Sequence, residues 1–333
     1  MTFSKPLGTL VAAAALSAAI AAPAAARDIK IGHFGAPGTP FDQGVQYFAE
    51  QVEALSDGEY TVTNFPSGQL GNEAQQIGAL QGGLQEMLIT SSTNLIKYNE
   101  LFQLIDLPFA FEDDAATDKV LLGEVGEKML AGLDGSGMKG LTFIDNGFRD
   151  LSNSERPIES LADFDGLSFR VIGAPVFINT FSALGTNPVP MPFPEVYTAL
   201  ETGTVDGQDN PLITVRDVNF FEVQDYLTTS KHAYSALVLL VSQPFWNSLS
   251  DEDKAMLQDA ADAAALENRK IMRAAVEDAK AFLSSEEGGM TISEFTPEAR
   301  AEIVEAVAPV TEELLTDAIR PLYEEMQSTL AAD

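Results

Sequence analysis

Residues 195–211 read EVYTALETGTVDGQDNP. The run from 194 to 201 has helical character, Gly203 closes it, and Val205-Asp206-Gly207-Gln208 is strand-like. Asn210 follows at the strand's end; with Pro211 it also reads as a turn. Just upstream, prolines at 188, 190, 192 and 194 make residues 185–194 extended or looped rather than helical. Phe193 in that stretch fits the wall of a cleft or ordinary core packing. Further out, residues 174–184 form a helix, with Val176, Ile178, Phe181 and Leu184 in period. Residues 167–172 form a strand that carries Arg170, and a strand over 139–144 leads into Gly147-Phe148-Arg149. Arginine is always charged and offers a planar fork of donors that matches a carboxylate. Arg170 and Arg149 therefore suit a small organic anion, with Asn210 as a neutral partner. Each arginine also fits a surface ion pair with a snorkelling stem.

Before this stretch the chain alternates strand and helix. Ile29 and Ile31 share one face of a strand over residues 28–34. His33, near its end, fits a cleft position or a packed one. Phe41, Val45, Phe48, Val52 and Leu55 repeat at helical spacing, and Ser56-Asp57-Gly58 stops that helix before a second strand at 59–65. Strand, helix, strand makes a βαβ unit, hence a parallel sheet with a right-handed crossover. The next helix carries Ile77, Leu80 and Leu84. Glu73 at its start either complements the helix N-terminus or accepts a hydroxyl from a ligand. A strand over 86–90 ends in Ser91-Ser92-Thr93-Asn94. Ligands of open α/β sheets lie beyond the carboxyl ends of strands, so Asn94 is a candidate cleft residue, with a solvated loop as the alternative. Residues 115–133 read as one helix, 232–242 as an apolar strand, 251–286 as one long alanine-rich helix, and 297–331 as helical after a strand at 290–295.

The chain has 333 residues, enough for two lobes with cores of their own, and is 45% hydrophobic. Fifty acidic residues against 19 basic ones give a net charge of −31, which argues against nucleic acid and anionic membranes as partners. An anion site survives in such a chain because a few arginines in a water-poor cleft outweigh distant, screened carboxylates. There is no cysteine and there are two histidines, so thiol chemistry is absent, and histidine metal sites and Ser-His triads are poorly supplied. Lys5, an apolar run over 7–22 and Ala24-Ala25-Ala26 have the form of a secretory leader cleaved after Ala26. Cleavage leaves residues 27–333, which is 307 residues with net charge −32, soluble, exported and without a membrane span.

Several pieces together resemble the substrate-binding proteins of tripartite ATP-independent periplasmic (TRAP) transporters. They are GFR at 147–149, DGLSFRV at 165–171, ALGTNP at 183–188, and the seventeen residues at 195–211. The likeness runs from about residue 28 to about 260, and includes LPFAF at 107–111 and EVQDYL at 222–227. It departs at Thr39-Pro40, where the family often has His-Pro. The resemblance implies a two-lobe periplasmic binding protein fold, α/β, with a ligand cleft between lobes and a long helix spanning both. Lobe I would be residues 27–147 plus 235–275, and lobe II residues 148–234 plus 276–333. It also implies that Arg170 holds a carboxylate bidentately, that Arg149 is a second cationic contact, and that Asn210 orients the ligand. Hinge closure would present the loaded protein to TRAP permease membrane subunits. Transport of this kind draws on an ion gradient, so no nucleotide cofactor is expected, and no metal motif is visible.

The expected function is therefore periplasmic capture of an organic acid, a C4-dicarboxylate or a sugar acid such as a uronate, with the second arginine favouring sugar acids. The candidate ligand-binding residues are Arg170, Arg149, Asn210, Glu73, Asn94, Phe193 and His33. Two alternatives stand beside it: a secreted enzyme acting on acidic sugars through paired carboxylates, and a sensor ectodomain with the same pocket. No carboxylate pair can be located from the sequence, so an enzyme is not the expectation.

Overall fold

The structure is a computed structural model and describes residues 1–2 and 26–332. The expected leader, but for residues 1–2 and 26, lies outside the described residues. No described helix is long and apolar enough to cross a membrane.

Strand β1 (Arg27–Gly32), helix α1 (Pro40–Leu55) and strand β2 (Tyr60–Phe65) form the expected parallel βαβ unit. Thr39-Pro40 has a local role there: Thr39 Oγ1 accepts from the Asp42 amide, and Pro40 occupies the first turn. The buried stripe of α1 ends at Val52, and Leu55 is exposed. Helix α2 (Glu73–Gln81) begins with an Asn72–Gln75 capping box. Leu84, expected on its buried face, lies past its end and is exposed. Strand β3 (Met87–Ser91) pairs with β1. The single helix expected over 115–133 is two, α3 (Asp114–Leu121) and α4 (Glu124–Ala131), broken at Gly123. A Cβ on Gly123 would sit 2.6 Å from the Lys119 carbonyl oxygen, so the break needs glycine.

Two strands are longer than the sequence suggested. Strand β4 (Met138–Asn153) runs through Arg149 without a break. After β5 (Ser168–Val171), α5 (Pro175–Ala183), β6 (Asn187–Pro190), α6 (Val196–Glu201), β7 (Gly207–Asn210) and α7 (Leu212–Asp217) comes β8 (Tyr226–Ser242). Strands β4 and β8 lie antiparallel along their whole length and serve both lobes. Residues 237–241 of β8 pair with β3, whereas residues 226–229 pair with β9 (Thr291–Glu294). Residues 150–153 of β4 pair with β7, which leads on to β5 and β6. The full order is β2-β1-β3-β8-β4-β7-β5-β6, with β9 on β8. The β4–β8 register slips at Asp145/Gly147 and again at Arg149/Leu151. Gly147, at the first slip, has φ +99°, a conformation that favours glycine.

Helices cover both faces of the sheet. In β8, Val238 and Leu240 join one apolar core, and Leu237, Leu239 and Val241 the other. After α8 (Gln243–Asn247), the long helix α9 (Asp251–Leu283) runs about 50 Å over the second core. It packs on α1, β4 and α7, elements of both lobes. Helices α10 (Pro297–Leu314) and α11 (Arg320–Ala331) finish the described chain, split where one helical run was expected.

Candidate ligand site

A cavity of about 380 Å³ lies where the ends of β1 and β3 meet β4, β5 and β7. Arg149 and Asn146 from β4, Arg170 from β5, Asn210 from β7, and Ser235 and Leu237 from β8 form one side. Asn72 and Glu73 at the start of α2, with Ser91 at the end of β3 and Asn94 beyond it, form the other. Phe34, Met191 and Phe193 wall it with apolar surface. The volume suits a small ligand.

Arg170 is 3% exposed, and its Nε and Nη2 donate to the Met191 carbonyl at 3.1 and 2.9 Å. Among the described residues it has no carboxylate within ion-pair distance, unlike Arg149, Arg269 and Arg273. Burial, then the Arg149 charge nearby, pushes its pKa down to about 10, so it is still a cation at neutral pH. A buried cation held by one neutral carbonyl is costly unless an anion completes it.

Arg149 is placed otherwise. Its Nε donates to Asp209 Oδ2 at 2.5 Å, its Nη2 donates to the Asp209 carbonyl, and its Nη1 lies 3.5 Å from Ser235 Oγ. His232 Nε2 is 3.3 Å from the same Asp209 oxygen, and its Nδ1 is 2.8 Å from Ser230 Oγ. Burial alone would raise the Asp209 carboxyl. Arg149 and the contact with His232 outweigh burial and hold it well below the usual carboxylate range. Arg149 thus lines the cavity with its charge already offset.

Asn210 is buried, and its Nδ2 donates to Gln208 Oε1 at 2.5 Å. Glu73 Oε1 accepts from Thr90 Oγ1 at 2.7 Å and the Ser91 amide at 2.9 Å, which ties the start of α2 to the end of β3. Asn94 donates to Thr90 Oγ1 at 3.2 Å. Phe193 meets Phe34 edge to face at 5.4 Å.

Six of the seven sequence candidates therefore share one cavity. His33 is the exception and is corrected: it is fully buried outside the cavity wall. Its Nε2 lies 2.7 Å from Asn64 Oδ1 and 3.4 Å from Asp42 Oδ1, and burial lowers its pKa against those partners. Asn64 of β2 and Asp42 of α1 hold the ring in the interior. Sequence reasoning missed Asp209, Asn146, Ser235, Phe34 and the Met191 carbonyl. Asp209 lies within residues 195–211; an acid beside a strand-end amide, in a chain with two strand-borne arginines, was the available signal. Among the described residues no group of three or more acids or histidines is placed to hold a metal ion.

Two α/β lobes joined by shared strands, with a cleft that presents a buried uncompensated cation, define a solute-binding protein. The sequence pattern of the family described as "Bacterial extracellular solute-binding protein, family 7" matches residues 31–317, and the chain belongs to that family. It is 38% identical over 225 residues to the 2,3-diketo-L-gulonate-binding periplasmic protein of Escherichia coli, covering 68% of this chain and 69% of that one. It is 36% identical over 321 residues to the C4-dicarboxylate-binding periplasmic protein DctP of Rhodobacter capsulatus, covering 92% and 93%. Among solved structures, the sugar acid binding protein DctPAm of Advenella mimigardefordensis in complex with galactonate superposes with a TM-score of 0.87. The identity is 37%, over 91% of this chain and 99% of that one. The fold class and the solute-binding class read from the sequence hold.

Proposed function

We propose that this protein captures a monocarboxylate sugar acid in the periplasm and delivers it to the membrane subunits of a TRAP transporter, without chemical change. The observation that carries the reading is Arg170, buried and charged with a backbone carbonyl as its protein partner. It would take the ligand carboxylate, with Asn210 and the remaining Arg149 donor beside it. Charge balance favours one carboxylate over two: Asp209 offsets Arg149, and the facing wall offers the Glu73 carboxylate with Asn72, Asn94 and Ser91. That wall suits hydroxyls and repels a second acid group. The galactonate complex of DctPAm and the diketogulonate binder support a sugar acid; the Rhodobacter relative supports the broader class. A leader cleaved after Ala26 would bring the chain to the periplasm.

The test is thermal unfolding and calorimetry of residues 27–333 against aldonates, uronates and C4-dicarboxylates, with the solutes recovered for analysis. A ligand of the folded state raises the melting temperature by mass action. An aldonate or uronate is expected to bind and to be recovered unchanged. Arg170→Ala would leave its carboxylate unpaired, at about 2–5 kcal/mol, roughly 30-fold to several thousand-fold in Kd. Undiminished binding by that variant, or turnover of the bound acid, would overturn the reading.

A further inference from the structure

Four aromatic rings run in file through the mouth of the cleft. Phe41 of α1 stacks on Phe34 at 5.1 Å, Phe34 meets Phe193 at 5.4 Å, and Phe193 meets Phe220 at 6.1 Å. Phe34 and Phe41 follow β1 in the first lobe. Phe193 and Phe220 belong to the second, on either side of β7 in sequence. The middle contact therefore bridges the lobes. Both of its rings are half-buried and both line the cavity. Their backing rings, Phe41 and Phe220, are buried in the apolar core beneath α9.

The second-lobe half is tied to the anion site by a short link. The Met191 carbonyl that accepts two bonds from Arg170 stands two residues before Phe193. The Met191 amide in turn donates to the Val171 carbonyl at 3.3 Å, next to Arg170 in sequence. Pro190, Pro192 and Pro194 alternate through this strap. Proline fixes φ near −65°, so the strap passes a shift in Arg170 on to Phe193 instead of absorbing it.

We propose that Phe34 and Phe193 form an aromatic latch across the mouth of the cleft, and that the strap at 190–194 couples it to Arg170. The coupling rests on Arg170 binding the ligand carboxylate, as proposed above; the latch itself does not. An anion that pulls on the guanidinium sets the Met191 carbonyl and hence the Phe193 ring against Phe34. Closed protein is then favoured by an edge-to-face pair that the open protein lacks. The latch acts after encounter, so its loss falls on release rather than capture.

The absence of cysteine allows two spin labels to be placed cleanly, at Glu53→Cys in α1 and Ser182→Cys in α5, both exposed. Inter-lobe distances are recorded by pulsed electron resonance with and without D-galactonate, beside stopped-flow rates. Phe34→Ala is expected to lower the closed fraction and to speed release roughly 2- to 10-fold, the range for one aromatic pair. Association should change little. Phe34→Tyr should restore slow release, and Phe34→Ala with Phe193→Ala should fall short of the sum of the single effects. Melting temperatures without ligand show that each variant is folded. Normal closure and release in Phe34→Ala, while Arg170→Ala loses binding, overturns the latch and leaves the proposed function standing. An effect of Phe193→Ala where Phe34→Ala has none overturns it too, because Phe193 would then act on the ligand directly. If the parent binds no acid, the proposed function fails. The latch is then judged on ligand-free protein, where Phe34→Ala must reduce the closed population for it to survive.

Discussion

Asp106 and Asp209 are both buried, and both lie in the field of Arg149, yet they titrate in opposite directions. Asp209 receives Arg149 directly and is held ionised. Asp106 has a buried oxygen with no hydrogen-bond partner; burial raises its pKa to about 7 against weaker pulls from Thr93 and Arg149. Because the folded value exceeds the usual 3.8, the folded chain binds this proton more tightly than the unfolded chain. Stability from this group is full below about pH 4 and is lost as pH rises through about 7. Asp150, raised to about 6 by burial, acts in the same sense. Melting temperature should therefore fall from mildly acidic to mildly alkaline buffer, and Asp106→Asn should flatten that slope; an unchanged slope would show Asp106 ionised throughout. The sequence contained both aspartates and gave no hint of the difference. Arg170, Arg149 and Asn210 were legible because charge and strand-end position are local properties. The offset of Arg149 by Asp209 was not, because it depends on which neighbour the fold supplies across β4 and β7.

At the scale of elements, most boundaries in the first lobe were legible, since α1 and β1 carry clean apolar periods. The crossing was harder. Strand β4 was visible over residues 139–144 and continues to 153, because Asp145, Asn146, Arg149, Asp150, Ser152 and Asn153 are buried polar residues. They break the alternation of apolar and polar that marks a strand, and most find their partners on neighbouring elements instead. Asn146 donates to Ser235, Ser152 to Gln224, and the Asp150 carboxylate accepts from the Lys231 amide. Gly147 sits mid-strand at φ +99° with nothing closer than 3.7 Å to an added Cβ, so a side chain there meets strain and no clash. Gly147→Ala should cost about 1–3 kcal/mol in urea unfolding. A neutral result would mean that the crossing relaxes to another backbone conformation.

For the whole molecule, the balance of charge opposes the proposed ligand. Residues 27–333 carry −32, so an organic anion approaches against a repulsive field until it reaches the cleft. Salt shortens that field to about 8 Å at physiological ionic strength and hardly touches a contact as buried as Arg170. Association of a sugar acid should therefore quicken as salt rises, with release nearly constant; stopped-flow rates over a salt series decide it, and slowing by salt would mean a locally positive approach. The shared strands have a different consequence, for the order in which the protein can assemble. Ile89 of β3 pairs with Leu239 of β8, 150 residues later, and β9 waits on the same strand. During synthesis, the β2-β1-β3 and β4-β7-β5-β6 halves of the sheet stay unjoined, and β9 has no strand to pair with, until β8 has left the ribosome. Contacts this distant make for slow folding. The first two-thirds of the chain thus stays without a finished domain while it is being made, a state in which it can still be threaded through a narrow pore.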